Sequence, residues 1–343
     1  MSRPVPATPS EPAPAAPSAP PTAAPPARRR RDRLIDGKLM IGIVLVALLL
    51  LASLLTGVYD VFGADDGAQM FAITRIPRTI ALVLAGAAMA MCGLVMQMIT
   101  QNRFVEPTTT GTTEWAGLGL LLVMIVAPDS PLVVKMIVAV ITAFIGTSIF
   151  FAFLQRITLR SSVIVPIVGI MLGAVVGAVS TFIALQTDML QSLGIWFAGS
   201  FTGIIQGKYE PLLVVIVVVV AVFVAADRFT AAGLGEEFST NIGLDYRAVV
   251  LLGTGLIAIA TGIVTVVVGN LPFLGLIVPN IVSMFRGDDL RSNLPWVALT
   301  GIALVTICDL LGRTIIAPFE VPVSLILALV GAVVFIALIV RRS

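Results

Sequence analysis

Three groups of residues in this chain could do chemistry that packing alone does not require. The first is Arg75-Ile-Pro-Arg78. Two fixed cations flank a proline at what reads as the outer start of a helix, where a cation opposes the helix dipole. Cations held against local stability suit a docking surface for carboxylates, although arginines at a span end also snorkel into headgroups. The second is the break from Asp227 to Arg247, punctuated by Gly233, Gly235 and Gly243, with room for two short helices. Bundle loops are usually shorter, so this segment reads as an elbow that binds a partner. The third runs from Thr187 to Gln206 and contains Gly194-Ile-Trp-Phe-Ala-Gly-Ser-Phe-Thr-Gly203. It is too polar and glycine-rich to span a membrane, and too apolar for an exposed loop. A re-entrant or surface helix beside a pathway fits it.

Other chemistries are excluded by what is missing. The chain has no histidine, which removes the usual general base and the commonest metal ligand. Cys92 and Cys308 sit singly in apolar runs and read as small buried side chains. Gly203-Ile-Ile-Gln-Gly207-Lys208-Tyr209 is one residue short of a phosphate loop and lacks the Ser or Thr that would hold magnesium. No catalytic residue, bound metal or cofactor is expected, and ATP hydrolysis, if any, belongs to another chain. A net charge of +2 argues against a nucleic-acid partner. Glu106 and Glu114 fall near the expected cytoplasmic exit, where they read either as gate residues or as helix-start carboxylates favoured by the dipole. Asp309 lies one turn before Arg313 and reads as its partner.

The elements that must position these residues follow from composition. Of 343 residues, 58% are hydrophobic and only 12% charged, with a mean hydropathy of +1.07. A soluble fold cannot bury that much apolar surface, and the apolar runs are continuous rather than alternating, so the expectation is an all-α polytopic membrane bundle. Punctuation at Pro, Gly and charge gives about ten transmembrane helices: 39–59, 79–100, 112–127, 131–154, 163–185, 210–226, 247–268, 271–286, 293–313 and 321–340. Residues 1–38 read as a disordered Pro/Ala-rich tail ending in the basic run Arg28 to Arg33 and Lys38, and 39–343 as the membrane domain. An even span number puts both termini on one side. Sorting the 21 Lys and Arg by this topology leaves sixteen inside and five outside, so both termini are expected in the cytoplasm. Gly169, Gly173 and Gly177, four residues apart, predict one smooth helix face for close helix approach.

Seven stretches in order make the chain resemble the permease family of iron–siderophore, haem and cobalamin importers, the membrane subunits of type II ABC importers. They are Arg75-Ile-Pro-Arg78-Thr79; Gln101-Asn-Arg-Phe-Val-Glu106-Pro107 with Gly111; Trp196 with Gly199-Ser200; Leu234-Gly235-Glu236-Glu237 with Gly243-Leu244; Phe273-Leu-Gly275-Leu-Ile-Val-Pro279; Asp309-Leu-Leu-Gly-Arg313; and Glu320-Val-Pro322-Val. The resemblance covers about Ile41 to Arg341. It implies that Arg75, Arg78 and Arg313 meet glutamates of an extracellular binding protein. It implies that Gly235, Glu236, Glu237, Gly243 and Leu244 lie in coupling helices seated on an ATPase. Two permeases, identical or paralogous, would pair with two ATPase subunits around a central pathway, with Trp196, Gly199 and Ser200 as an outer gate. The same resemblance sets Pro279 and Asn280 on that pathway; many relatives carry His where Asn280 stands. Phe-Val-Glu-Pro, Glu114-Trp115 and Val-Pro-Asn look like the subgroup that carries catecholate or mixed-ligand ferric siderophores in the bacterial inner membrane. A pathway without histidine suits a bulky chelate that brings its own iron ligands. The alternative is an ion-coupled secondary transporter of a small solute, which usually shows ionisable residues at mid-span and interrupted helices in repeated halves.

Overall fold

The computed structural model describes residues 37–57, 66–156, 163–287 and 289–342. The Pro/Ala-rich tail with Arg28 to Arg33 lies outside them, as does Arg160. Every element among the described residues is helical: α1 (Gly37–Leu55), α2 (Gly67–Met70), α3 (Ile76–Ile99), α4 (Thr112–Val126), α5 (Leu132–Arg156), α6 (Ile164–Gln186), α7 (Leu190–Phe197), α8 (Val214–Val224), α9 (Ala226–Ala232), α10 (Glu236–Asn241), α11 (Tyr246–Val267), α12 (Leu274–Arg286), α13 (Leu290–Thr314) and α14 (Val323–Arg342). Six helical stretches are long and apolar enough to cross a membrane. A seventh is possible if the pair Glu210–Val224 and Ala226–Ala232, bent by 61°, is one span. Thr112–Val126, Leu274–Arg286 and Val323–Ala337 are apolar but shorter.

The organising element is α3. A π-helical turn, Phe71–Arg75, joins it to α2, so Gly67–Ile99 is one stretch of 33 residues. Its most apolar window is 78% buried, against 17% for α1, which makes α3 central and α1 peripheral. Small residues let neighbours approach its backbone. A Cβ on Gly93 would fall inside the backbone of Gly275 on α12, and one on Gly86 would lie 2.9 Å from Cα of Ile302 on α13.

Continuity across the π turn corrects one expectation. Arg75 and Arg78 are not at a helix start but two turns inside a continuous helix, so the dipole argument for them falls away. Pro77 has no N–H, which frees the carbonyl of Ile73 four residues earlier. The backbone N–H of Gln206 donates to that oxygen at 2.9 Å. The glycine face of α6 is also used differently from the expectation. Gly169 and Gly173 receive the backbone of Thr109, Thr110 and Gly111, a connecting loop rather than a helix, and Gly177 has open space around it.

Replacing Gly93 with Val should lower the melting temperature of the purified protein, because overpacking against backbone costs about 1–3 kcal/mol or more. Gly177→Ala should leave melting unchanged or raise it slightly, since it removes a helix-interior glycine without a clash. Equal effects of the two changes would refute the crossing of α3 on α12.

Candidate functional site

At one end of the bundle Arg75, Arg78 and Arg313 converge. The side chains point inward rather than standing free. Arg78 forks onto Glu320, with Nη1 donating to Oε1 at 3.0 Å and Nη2 to Oε2 at 2.8 Å. Its Nη2 and Nε also donate to Asp309 Oδ1, at 2.7 and 3.2 Å. Asp309 is fully buried, and its Oδ2 lies 2.7 Å from Arg313 Nη2, an ion pair whose angle falls outside hydrogen-bond geometry. Arg313 donates further to the carbonyls of Ser53 and Thr56 and to the Ser53 hydroxyl at the end of α1. Arg75 donates to the Leu54 carbonyl at 2.8 Å. Thus α3, α13 and the α13–α14 connection meet through alternating charges, and the end of α1 joins them through its carbonyls, around a cleft of about 180 Å³ that also touches Thr202.

Glu320 connects this cluster to the glycine-rich segment. Its Oε2 accepts from Thr202 Oγ1 at 2.5 Å, and the Thr202 and Ser200 hydroxyls lie 2.8 Å apart. Ser200 N–H donates to the Val268 carbonyl, and Ser324 N–H to that of Gly199. Gly199 packs on the backbone of Asn270, where no Cβ would fit, and Gly269, at φ +99°, sits under the Trp196 carbonyl. Trp196, Gly199 and Ser200 therefore lie where α7, the α11–α12 connection and the start of α14 meet. A short helix, α7, occupies part of the predicted segment.

Deeper in the bundle lies a second polar centre. Helix α12 has 13 residues, about 20 Å, so it begins inside the apolar bundle with N–H groups that need partners. Glu106, from the α3–α4 connection and 1% exposed, supplies them. Oε1 accepts from Phe273 N–H at 2.8 Å and Oε2 from Leu276 N–H at 3.0 Å, while Thr108 donates its hydroxyl to Oε1. Phe273 holds a left-handed φ of +62°, uncommon for an aromatic residue, directly at this cap. Pro279 frees the Gly275 carbonyl four residues earlier, and Gln97 Nε2 of α3 donates to it at 3.2 Å. Asn280 Nδ2 bridges the carbonyls of Leu276 and Arg103, at 2.7 and 2.8 Å. Glu106 is thus a helix-start carboxylate, but for α12 rather than for the α4 that follows it in sequence. Glu114 sits in the first turn of α4 beside Gly173, and its Oε2 has no hydrogen-bond partner.

At the far end of α3, the break at 227–247 contains two short helices, α9 and α10. Gly235, at φ +106°, begins α10, and Gly243, at φ +82°, follows it. Both adopt backbone that L side chains rarely take. Ser239 ties α10 to α9 through the Ala231 carbonyl, and Asp245 caps α11 by accepting from Ala248 N–H. Glu236 and Glu237 are exposed. So are the apolar side chains of Leu234, Phe238 and Ile242, at 62%, 48% and 57%, an unusual patch on a polar turn. Met98 and Gln101, at the end of α3, lie against Gly233 and Gly235.

Sequence reasoning grouped the three arginines, the glycine segment and the elbow, and the structure adds the residues that join them. Glu320, Thr202, Ser53 and Gln97 are the site residues that the sequence alone does not single out. Gln97 and Gln206 had one available signal: each interior proline leaves a carbonyl four residues back that something must satisfy. Among the described residues no cluster of His, Cys, Asp and Glu could hold a metal ion.

Burial pushes the Glu320 carboxyl up, but hydrogen bonds from Arg78 and Thr202 and the charge of Arg313 outweigh it and hold it below the usual carboxylate range. A carboxyl depressed on folding stabilises above its unfolded value, about 4.3, and loses that contribution as pH falls through the lower folded value. Glu320→Gln should therefore flatten the acid side of the melting profile. Asp309→Asn should cost more at neutral pH, about 3–5 kcal/mol, because it leaves two buried arginines facing each other. A neutral-pH melting temperature unaffected by Asp309→Asn would show that the network is not structural.

The FecCD transport family matches residues 39–341. The chain is 61% identical over 303 residues to the petrobactin import system permease FatD of Bacillus anthracis, covering 88% of this chain and 91% of that one. It is 41% identical over 307 residues to the petrobactin import system permease YclN of Bacillus subtilis (88% and 97%), and 37% identical over 270 residues to the ferric-anguibactin transport system permease of Vibrio anguillarum (79% and 86%). Its fold is similar to that of a metal-chelate type ABC transporter solved in an inward-facing conformation, with a TM-score of 0.77 at 22% identity, covering 89% of this chain and 99% of that one. With a family match over residues 39–341 and a relative 61% identical over 303 residues, this multi-pass membrane protein belongs to the FecCD transport family, whose members are transport components and not enzymes.

Proposed function

We propose that this chain is the permease subunit of an ABC importer in the bacterial inner membrane, taking up a ferric siderophore handed over by an extracellular binding protein. The observation that carries the reading is the 61% identity over 303 residues to a petrobactin import permease. Two ATPase subunits on the cytoplasmic side would drive it, and a second permease, identical or paralogous, would complete the pathway. The six long helices, the bent pair and the three shorter apolar helices are read as ten crossings, with both termini in the cytoplasm; the charge sort supports this.

The geometry suggests how the parts act together. Arg75, Arg78 and Arg313 would form the docking face, with Arg78 presented through its exchangeable partner Glu320. A carboxylate of the docking protein that takes the place of Glu320 on Arg78 would also release Thr202, and with it the Trp196–Ser200 gate. On the other side Gly235, Glu236, Glu237, Gly243 and Leu244 would seat on the ATPase, with Leu234, Phe238 and Ile242 as apolar contacts. Movement of α10 bears on Met98 and Gln101, and so on α3, whose opposite end carries Arg75 and Arg78. Glu106, Pro279 and Asn280 would hold the inner end of the pathway by fixing where α12 begins.

Proteoliposomes with the partner subunits and ferric petrobactin as probe test this reading. Glu236→Lys with Glu237→Lys should lower uptake at least tenfold while binding-protein docking stays intact, because reversed charge opposes seating in another chain. Glu320→Gln should tighten docking several-fold by freeing Arg78. Uptake unchanged by the first pair would make the elbow a plain linker, and docking unchanged by the second would refute the exchange. A cytoplasm-dependent reporter fused after Arg342 should be active, and one fused after Asp65 silent; the reverse would overturn the topology.

A further inference from the structure

We propose that the groove between the start of α1, the end of α12 and the first turns of α13 is a binding site for the headgroup of an anionic phospholipid. The groove lies at the end of the bundle opposite the arginine cluster and has a volume of about 460 Å³. Lys38 and Arg286 line it, with walls of Ile281, Val282, Phe285 and Trp296. Among the described residues that line it there is no carboxylate. Among the described residues no acidic side chain pairs with Lys38 or Arg286, whereas the neighbouring Arg291 is matched by Asp227 at 2.6 Å.

The arrangement is built rather than incidental. Arg286 lies over the Trp296 ring, 5.1 Å from its centroid, which orients the guanidinium and leaves its N–H edge free to meet an anion. Trp296 packs closely over Gly42 of α1, where a Cβ would lie 3.3 Å from the ring. Lys38 and Gly42 are four residues apart on one face of α1, so the ring that holds Arg286 also brings Lys38 to the same groove. Two cations of different reach, one planar and one a point charge, suit a phosphate diester.

Apolar surface continues where lipid tails would run. Phe285 is 83% exposed, and Ile41, Leu45 and Leu48 form an exposed stripe on α1 beginning one turn beyond Lys38. A water-soluble anion would have no use for that stripe, and an acidic protein segment would leave it uncovered. Cationic grooves between spanning helices beside the more basic end of a membrane protein favour anionic headgroups.

Native mass spectrometry of the purified full-length protein in detergent, titrated with phosphatidylglycerol or phosphatidylcholine, tests the site. Phosphatidylglycerol should bind at least tenfold more tightly than phosphatidylcholine, and Lys38→Gln with Arg286→Gln should abolish the difference. Arg286→Lys keeps a cation and should retain most of it, which separates loss of charge from loss of fold; lipid-free melting of each variant provides the same control. Equal binding of the two lipids, unchanged preference in the double Gln variant, or displacement of the lipid by millimolar inorganic phosphate or by an acidic peptide would each overturn the proposal.

Discussion

A helix that begins inside an apolar bundle brings N–H groups that no water reaches, and a proline within such a helix frees a carbonyl in the same position. The polar interior of this protein is organised around that constraint. Glu106 meets the N–H groups of Phe273 and Leu276 at the start of α12, Gln97 meets the Gly275 carbonyl released by Pro279, and the Gln206 backbone meets the Ile73 carbonyl released by Pro77. Each repair comes from a distant part of the chain. The breaks in individual helices therefore become the bonds that join helices to one another.

The continuous stretch ending in α3 takes part in two of these repairs. α3 supplies Gln97 and crosses α12 and α13 at Gly93 and Gly86, and Ile73 lies just upstream of it in the same 33-residue stretch. Such a helix transmits displacement along its length better than one held only by side-chain packing, because its close contacts are backbone to backbone and cannot yield by rotamer change. Its two ends carry the features that the proposed function uses: the arginines at one, and the contacts with α9–α10 at the other.

The charge cluster follows the same logic at the bundle's edge. Asp309 alone between Arg78 and Arg313 would leave one excess buried cation, and Glu320 supplies the second anion from a connection that is partly open to solvent. A partner held at the rim by a solvent-accessible carboxylate is exchangeable, whereas the fully buried Asp309 is not. The difference comes from burial: both carboxylates reach Arg78, but only Glu320 can be rehydrated when it leaves.

The sequence by itself determined the membrane class, the approximate limits of the apolar helices, the elbow with its two short helices and the family. These depend on local quantities: runs of apolar residues, the positions of Gly and Pro, and motif order. It also paired Asp309 with Arg313, four residues apart on one helix. What only the tertiary structure decided is which groups answer each other across the bundle. Glu106 was legible as a helix-start carboxylate, but the helix it caps lies 167 residues away from it at Phe273. The glycine face of α6 was legible as a close approach, but the approaching backbone is a loop. Arg75 and Arg78 read as outward cations because nothing near them in sequence opposes them; Asp309 and Glu320, which hold Arg78, come from more than two hundred residues further on, and Arg75 turns to the Leu54 carbonyl of α1. Composition and spacing report what each segment requires, and the fold alone selects the distant segment that supplies it.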